Sequence, residues 1–173
     1  MKNSTAHLSV AVSDKVAWIR IDGRASFNNS VDFKTVVTGL WDRGCSHFVL
    51  DLTQCLLMDS TFLGVLAGLG LRYPHNGNKD AAFELLNPNA RISELLENLG
   101  VAHLFKVVQG PATTSRALND VPETPGQRDG AEVTRTCLEA HRTLMNINPA
   151  NVPKFKDVAE FLQEDLRRKE GSR

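Results

Sequence analysis

Apolar and polar residues alternate near the start of the chain, over residues 8–12, and a mainly apolar run follows over residues 16–21. Alternation with a period of two is typical of strands that bury one face. We therefore expect two neighbouring strands, paired as a hairpin. From residue 28 to residue 43 the apolar positions change to helical spacing, which predicts a first helix. Ser30 is its expected N-cap, and Gly44 is its expected C-cap.

The middle of the chain contains a short apolar run followed by a longer one. Residues 48–52 predict a buried strand, and residues 53–58 are expected to form a loop. Asp59 stands directly before the longer apolar run, and its carboxylate can accept from the free N–H groups of a first helical turn. We therefore expect a helix that begins after Asp59, continues to about Tyr73 and stops before Pro74.

Strand and helix patterns continue to alternate after this helix. We expect a strand, a helix and a last short strand, at residues 81–86, 90–99 and 104–108. The predicted order is β-β-α-β-α-β-α-β. Alternation of this kind is typical of an α/β fold, here with a mixed sheet.

The last third of the chain has a different character. Residues 109–130 are rich in proline and glycine, which predicts a linker with little regular structure. Amphipathic helical spacing returns at residues 132–146 and 155–169. We therefore divide the chain into a first domain at 1–108, the linker, and a helical extension at 131–173. The two amphipathic helices must bury their apolar stripes on each other, on the first domain or on a second chain, as in a homo-oligomer.

Composition restricts the class of protein. The 20 basic residues balance the 20 acidic ones, so nucleic acid and anionic membrane surfaces are not favoured as partners. No apolar run approaches the roughly 20 residues that a membrane span needs, and the N-terminal residues lack the pattern of a signal peptide. The three cysteines are odd in number and far apart, which indicates reduced thiols and a cytoplasmic protein.

One short motif resembles a known family. The run Asp-Ser-Thr-Phe-Leu-Gly at residues 59–64, after Leu-Asp-Leu at residues 50–52, resembles the signature of STAS domains, the anti-sigma-factor antagonist family. The usual form in that family is Asp-Ser-Ser-Gly-Leu-Gly, so Phe62 departs from the pattern. The resemblance extends over about residues 8–108. It implies a STAS-like mixed sheet with helices packed on it, and the helical extension lies outside it.

The resemblance also implies a function. In the family, a partner kinase phosphorylates the first hydroxyl residue of the motif, which here is Ser60, with Thr61 as the alternative. The implied partner is a serine kinase that is also an anti-sigma factor, and no cofactor is implied. The residues expected to contact this partner lie at the start of the helix and along one side of it: Asp59, Ser60, Thr61, Phe62, Gly64 and Gly68.

Two features of this helix have more than one interpretation. Ser60, Gly64 and Gly68 recur at intervals of four and form a stripe of small residues. Such a stripe admits the close approach of a partner, or it packs tightly against the sheet or a helix of the same chain. Ser60 itself is either a phosphorylation site or only a residue that fills the first helical turn beside its cap.

Two other functional classes remain beside the regulatory module. STAS domains also serve as fixed parts of larger signalling or transport assemblies, and the helical extension would then supply the assembly contact. An enzyme is less well supported, because no nucleophile–base spacing or metal-ligand spacing occurs in the sequence. The five histidines show no metal spacing with one another or with the cysteines, so surface or capping roles are expected for them.

Overall fold

A computed structural model of the chain describes residues 5–73, 82–112, 117–122 and 129–172. Strands and helices follow one another in these ranges. The strands are β1 (His7–Ser13), β2 (Val16–Ala25), β3 (His47–Asp51), β4 (Cys55–Met58), β5 (Phe83–Leu86), β6 (Lys106–Val108) and β7 (Asn119–Asp120). The helices are α1 (Phe27–Asp42), α2 (Ser60–Arg72), α3 (Ala90–Asn98), α4 (Gly130–Ile147) and α5 (Val152–Gly171).

The described strands form a mixed sheet in the order β6-β5-β3-β2-β1-β7. β1 is antiparallel to β2 and to β7, whereas β2, β3, β5 and β6 run parallel to one another. The expected hairpin and the expected α/β fold with a mixed sheet are confirmed. β2 is longer than β3, and its end pairs in parallel with β4 across an irregularity next to Gly23. Gly23 has a φ of 99°, which a residue with a Cβ rarely adopts.

Burial alternates along the central strands. In β2 the side chains of Ala17, Ile19 and Ile21 are fully buried, while those between them are partly exposed. The helices cover the buried face, and Phe33 of α1 and Phe62 of α2 meet there with ring centroids 4.7 Å apart. This cluster of buried residues is the main core, and it holds the start of α2 in a fixed position.

Two local expectations about the first half of the chain were wrong. Residues 53–58 do not form only a loop, because β4 occupies Cys55–Met58. Its partner is the far end of β2, about thirty residues earlier, and a local pattern does not show such a contact. The N-cap of α1 is Ser26 rather than Ser30, since the Ser26 side chain accepts from the N–H of Asn28. The Ser30 hydroxyl donates to the Ser26 carbonyl oxygen instead.

Other elements lie close to their expected places. The C-cap of α1 is Arg43, and Gly44 follows it with a φ of 99°. β6 begins at Lys106, after a short 3-10 turn at Ala102–Leu104. The expected linker contains one short strand within its described part, β7, which pairs with β1.

The C-terminal helical extension is confirmed, as α4 and α5. α4 packs along α2 and also touches α1, and α5 packs on α4. Two side chains of α4, Ala140 and Leu144, belong to the same buried cluster as the sheet. A smaller cluster joins α4 to α5. The extension thus packs on the first domain and on itself, while the division of the chain at residues 108 and 130 stays a prediction.

Candidate functional site

The site is built around the start of α2. Asp59 is the N-cap of this helix, as the sequence predicted, and its Oδ1 accepts from the N–H of Phe62 at 2.8 Å. Its other oxygen, Oδ2, accepts from the N–H of Phe27 at 2.8 Å, at the start of α1. One carboxylate therefore joins the first turns of two helices, and it fixes the position of Ser60, the first residue of α2.

The Ser60 hydroxyl contacts a histidine from the helical extension. Ser60 Oγ lies 3.1 Å from Nε2 of His141, and Nδ1 of the same ring lies 2.7 Å from the carbonyl oxygen of Cys137. A carbonyl oxygen only accepts, so Nδ1 carries a proton. In the neutral imidazole Nε2 is then the acceptor, and the Ser60 hydroxyl donates to it. Ser60 is partly exposed, and His141 is buried beneath Phe155, whose ring lies 5.0 Å from the imidazole.

His141 was missed by the sequence analysis, which expected surface or capping roles for the histidines. It lies on the buried side of α4, three residues from both Leu138 and Leu144. This spacing was visible in the sequence and could have indicated burial. It could not have indicated Ser60, because 81 residues separate the two.

The predicted stripe of small residues faces α4. A Cβ built on Gly64 would lie 2.5 Å from the carbonyl oxygen of Ala140, closer than real Cβ contacts. A Cβ on Gly68 would lie 3.8 Å from the side chain of Thr143, which is ordinary contact. Of the two interpretations of the stripe, the structure shows tight packing against a helix of the same chain. α4 thus occupies the face on which the sequence predicted a protein partner.

The next two residues of the motif point into the protein. Thr61 is only 6 % exposed, and its hydroxyl hydrogen-bonds to the side chain of Cys137. Burial raises the pKa of Cys137, and the bond to Thr61 offsets part of that shift. Phe62 has no exposed surface and packs in the main core, below the first turn of α2. Ser60 is therefore the more accessible of the two candidate hydroxyls.

Among the residues that the structure describes, no group of three or more histidine, cysteine, aspartate or glutamate side chains is arranged to hold a metal ion. None of the helices in the described ranges combines the length and the apolar character that a membrane crossing requires.

Comparisons with known proteins agree with this architecture. The family model of the STAS domain matches residues 7–114. The structure of tm1081 from Thermotoga maritima, assigned as an anti-sigma factor antagonist, aligns with a TM-score of 0.52 and 20 % identity, covering 60 % of this chain and 86 % of that chain. An anti-sigma factor antagonist from Mycobacterium paratuberculosis aligns with a TM-score of 0.52 and 15 % identity, covering 62 % and 87 %. At sequence identities of 20 % and 15 %, these structural alignments show that the fold is shared.

No curated protein gave a significant sequence match. The family match covers more than half of the chain, and the chain belongs to the STAS domain family. The resemblance seen in the motif is thereby confirmed. The matched range ends at residue 114, so α4 and α5 lie beyond it.

Proposed function

We propose that this STAS domain protein is a regulatory binding module that acts as an anti-sigma factor antagonist in partner switching. Its partner is a serine kinase that is also an anti-sigma factor. The unphosphorylated protein binds that partner and frees the sigma factor, and phosphorylation of Ser60 ends the binding. The protein acts in the cytoplasm, needs no cofactor and meets ATP only as a substrate of the kinase. The family match, and the fold shared with an anti-sigma factor antagonist and with a second protein assigned to that role, support this class of function.

The observation that carries the proposal is the place of the Ser60 hydroxyl. It is partly exposed, on the first residue of α2, directly after the N-cap Asp59. The first N–H groups of a helix lack intrahelical partners, and the dipole makes this end positive, so a phosphate is tolerated there. Phosphorylation at Ser60 is therefore compatible with an intact α2.

The same modification changes the surface strongly. A phosphate adds about −1.5 to −2 charges and three acceptor oxygens at one point. The neighbouring carboxylate of Asp59 adds to the negative charge. Covering this charge with a protein surface that has no matching cation costs several kcal/mol or more, in the range typical of buried unpaired charges. Phosphorylation thus opposes partner binding without unfolding the domain.

The test begins with intact-mass analysis of the protein isolated from its native cell, followed by peptide mapping of any added phosphate. We expect a phosphorylated fraction with the phosphate on Ser60. In pull-down experiments with the native partner, Ser60→Ala should bind constitutively and Ser60→Asp should bind weakly. Thr61→Ser is the matched control, because it keeps the buried hydroxyl and should bind as the parent does. The switch is refuted if Ser60→Asp and the phosphorylated protein both bind as tightly as the parent.

A scaffold subunit of a larger signalling or transport assembly is the second candidate. The close packing of α4 on Gly64 favours it, because that face is already filled. α5 would then supply the contact to a partner or to a second copy, through exposed apolar side chains such as Phe161, which is 67 % exposed, and Val158. A co-purified complex of fixed stoichiometry with no phosphorylated fraction would support this candidate over the switch.

We also propose that the protein has no catalytic activity of its own. Ser60 and His141 are spaced like a nucleophile and its base. However, the imidazole is buried beneath Phe155, and its Nδ1 is held by a backbone carbonyl rather than by a carboxylate. Hydrolysis of an ester or a nucleotide by the purified protein, abolished by His141→Ala, would contradict this.

A further inference from the structure

We propose that α4 is an intramolecular cover of the Ser60 face, and that its docked state excludes both phosphorylation of Ser60 and binding of a protein partner. The biological consequence rests on the proposed function, whereas docking and undocking of α4 can be measured without it. The covered surface is the Ser60 face, defined here as Ser60, Gly64 and Gly68 on one side of α2.

The backbone of α4 lies unusually close to this face. The 2.5 Å between a Cβ built on Gly64 and the Ala140 carbonyl oxygen means that no side chain separates the two helices there. Because the close atoms of Ala140 belong to the backbone and to its Cβ, no flexible side chain can move aside. A partner helix or loop that is to reach Gly64 must therefore displace α4.

The docked helix also holds the Ser60 hydroxyl itself. In phosphoryl transfer, Ser60 Oγ forms a bond to the γ-phosphorus of ATP, the bond from that phosphorus to the ADP oxygen breaks, and the hydroxyl proton passes to a base of the kinase. In the docked state the hydroxyl is hydrogen-bonded to Nε2 of His141, 3.1 Å away. A phosphoryl group on Oγ replaces the hydroxyl that makes this contact, and it places three oxygens and about −1.5 to −2 charges beside the buried imidazole. Docked α4 and phosphorylated Ser60 thus exclude each other.

Contacts at a distance from Ser60 hold the cover in place. Nδ2 of Asn151, between α4 and α5, donates at 2.9 Å to the carbonyl oxygens of Leu99 and Leu144. Asn151 is fully buried, so these bonds tie the junction of the two helices to the end of α3. Nζ of Lys154 donates to the Asn98 carbonyl oxygen at 3.0 Å. Loosening this attachment should expose Ser60 although no atom near Ser60 changes.

The coupling must act in both directions. If docking of α4 disfavours phosphorylation, phosphorylation disfavours docking by the same factor, because the two equilibria are thermodynamically linked. A phosphorylated chain would therefore hold α4 and α5 away from α2. An anti-sigma factor or another partner that binds the Ser60 face would compete with α4 in the same way.

The test measures how often Ser60 becomes accessible, with a thiol in place of the hydroxyl. The full chain with Ser60→Cys is treated with N-ethylmaleimide, and labelling of each cysteine is followed by peptide mass spectrometry. The native thiols react slowly by comparison, since burial raises the pKa of Cys45 and of Cys137, and that of Cys55 to about 11. Because position 60 is partly exposed in the docked state, the single Ser60→Cys protein sets the basal labelling rate, and a rise above that rate reports undocking of α4.

Three double variants separate docking from other effects. Adding Gly64→Ala should raise the labelling rate at position 60 at least about tenfold, which corresponds to about 1.4 kcal/mol of lost docking free energy. Adding Gly68→Ala makes the same chemical change one turn later, where the new Cβ would be in ordinary contact with Thr143. The labelling rate should then stay within about twofold of that of the single Ser60→Cys protein, well below the tenfold change that corresponds to about 1.4 kcal/mol. Adding Asn151→Ala should raise the rate about fivefold, as expected for the loss of buried hydrogen bonds.

Equal labelling rates in all four proteins, each with a cooperative melting transition, would overturn the inference. If Gly64→Ala abolishes that transition, the Asn151→Ala protein decides alone. The result is independent of the switch proposal. If labelling is accelerated in the variants but Ser60 carries no phosphate in the native cell, the docking of α4 is supported and the phosphorylation switch is refuted. If Ser60 is phosphorylated in the native cell but the labelling rates are equal, the switch is supported and the docking inference is refuted.

Discussion

A hydrogen bond between Asp59 and Phe27 connects the first turns of α1 and α2, because Oδ2 of the Asp59 carboxylate accepts from the Phe27 N–H at 2.8 Å. The same side chain caps α2 through the Phe62 N–H, also at 2.8 Å. A single N-cap substitution typically costs about 0.5–2 kcal/mol. Asp59 serves two helix starts, so its loss should cost more than a single cap would.

We expect Asp59→Ala to lower the free energy of unfolding by about 2–3 kcal/mol, near the sum of a cap and a second charge-assisted bond. Asp59→Asn keeps one acceptor oxygen and should lose about half as much. Urea denaturation of both variants checks this. Equal losses in the two would mean that only one of the two bonds contributes.

Gly39 and Gly64 provide a matched pair of helical glycines. Nothing lies within 4 Å of a Cβ built on Gly39 in α1, so Gly39→Ala should stabilise the protein by about 0.5–1 kcal/mol through helix propensity alone. Gly64→Ala gains the same propensity but forces Ala140 away, and overpacking typically costs about 1–3 kcal/mol. Thermal unfolding should therefore shift in opposite directions. If the thermal midpoints of Gly39→Ala and Gly64→Ala both rise, α4 can move away from the new methyl group at position 64 without loss of stability.

The sheet carries a carboxylate whose protonation should affect stability at low pH. Burial tends to raise the pKa of Glu84, but its bonds to His47 at 2.9 Å and Lys106 at 3.2 Å outweigh this, and the pKa lies below its ordinary value of 4.5. A depressed pKa gives stability that is complete above the ordinary value and is lost as pH falls through the folded value.

Glu84→Gln should therefore reduce stability at neutral pH and flatten its decline between about pH 5 and pH 3. Glu139→Gln is the control, because its bond to Lys34 lies on the exposed surface and should contribute little. Urea midpoints measured across this pH range give the comparison. If the urea midpoints of the parent and of Glu84→Gln decline with the same slope between about pH 5 and pH 3, the lowered pKa of Glu84 would be contradicted.

The sequence located the start of α2 because the signals are local. Asp59 is adjacent to the helix it caps, and the apolar run after it is long. β4 was not found, because its short apolar run gains its strand conformation from pairing with the distant end of β2. The expected N-cap of α1, Ser30, lies one turn beyond the actual cap, Ser26, because the apolar positions mark the buried side of α1 more clearly than its first turn.

The contact between α2 and α4 could not be predicted for a related reason. Helical spacing showed that α4 has an apolar side, but not which surface that side covers. The stripe of Ser60, Gly64 and Gly68 suggested close approach of some backbone, and Ala140 of the same chain supplies it. The choice between a partner and the chain itself depends on tertiary structure, because both need the same small residues.

The last prediction concerns the division of the chain, which the sequence placed after residue 108. A fragment of residues 1–122 keeps β1 to β7 and α1 to α3, including the pairing of β7 with β1. It loses Ala140 and Leu144 from the main core. Removing a buried leucine side chain alone typically costs about 2–5 kcal/mol.

We expect the fragment to unfold cooperatively in urea, at a lower midpoint and with a smaller m-value than the full chain, because less surface is buried. The full chain with Leu144→Ala is the control for the lost core contact, and its midpoint should lie between the two. The Ser60→Cys fragment should also be labelled by N-ethylmaleimide faster than the full chain carrying the same change, since nothing covers the Ser60 face. Loss of cooperative unfolding in the fragment would mean that α4 is an integral part of the first domain, and the division at residue 108 would then be wrong.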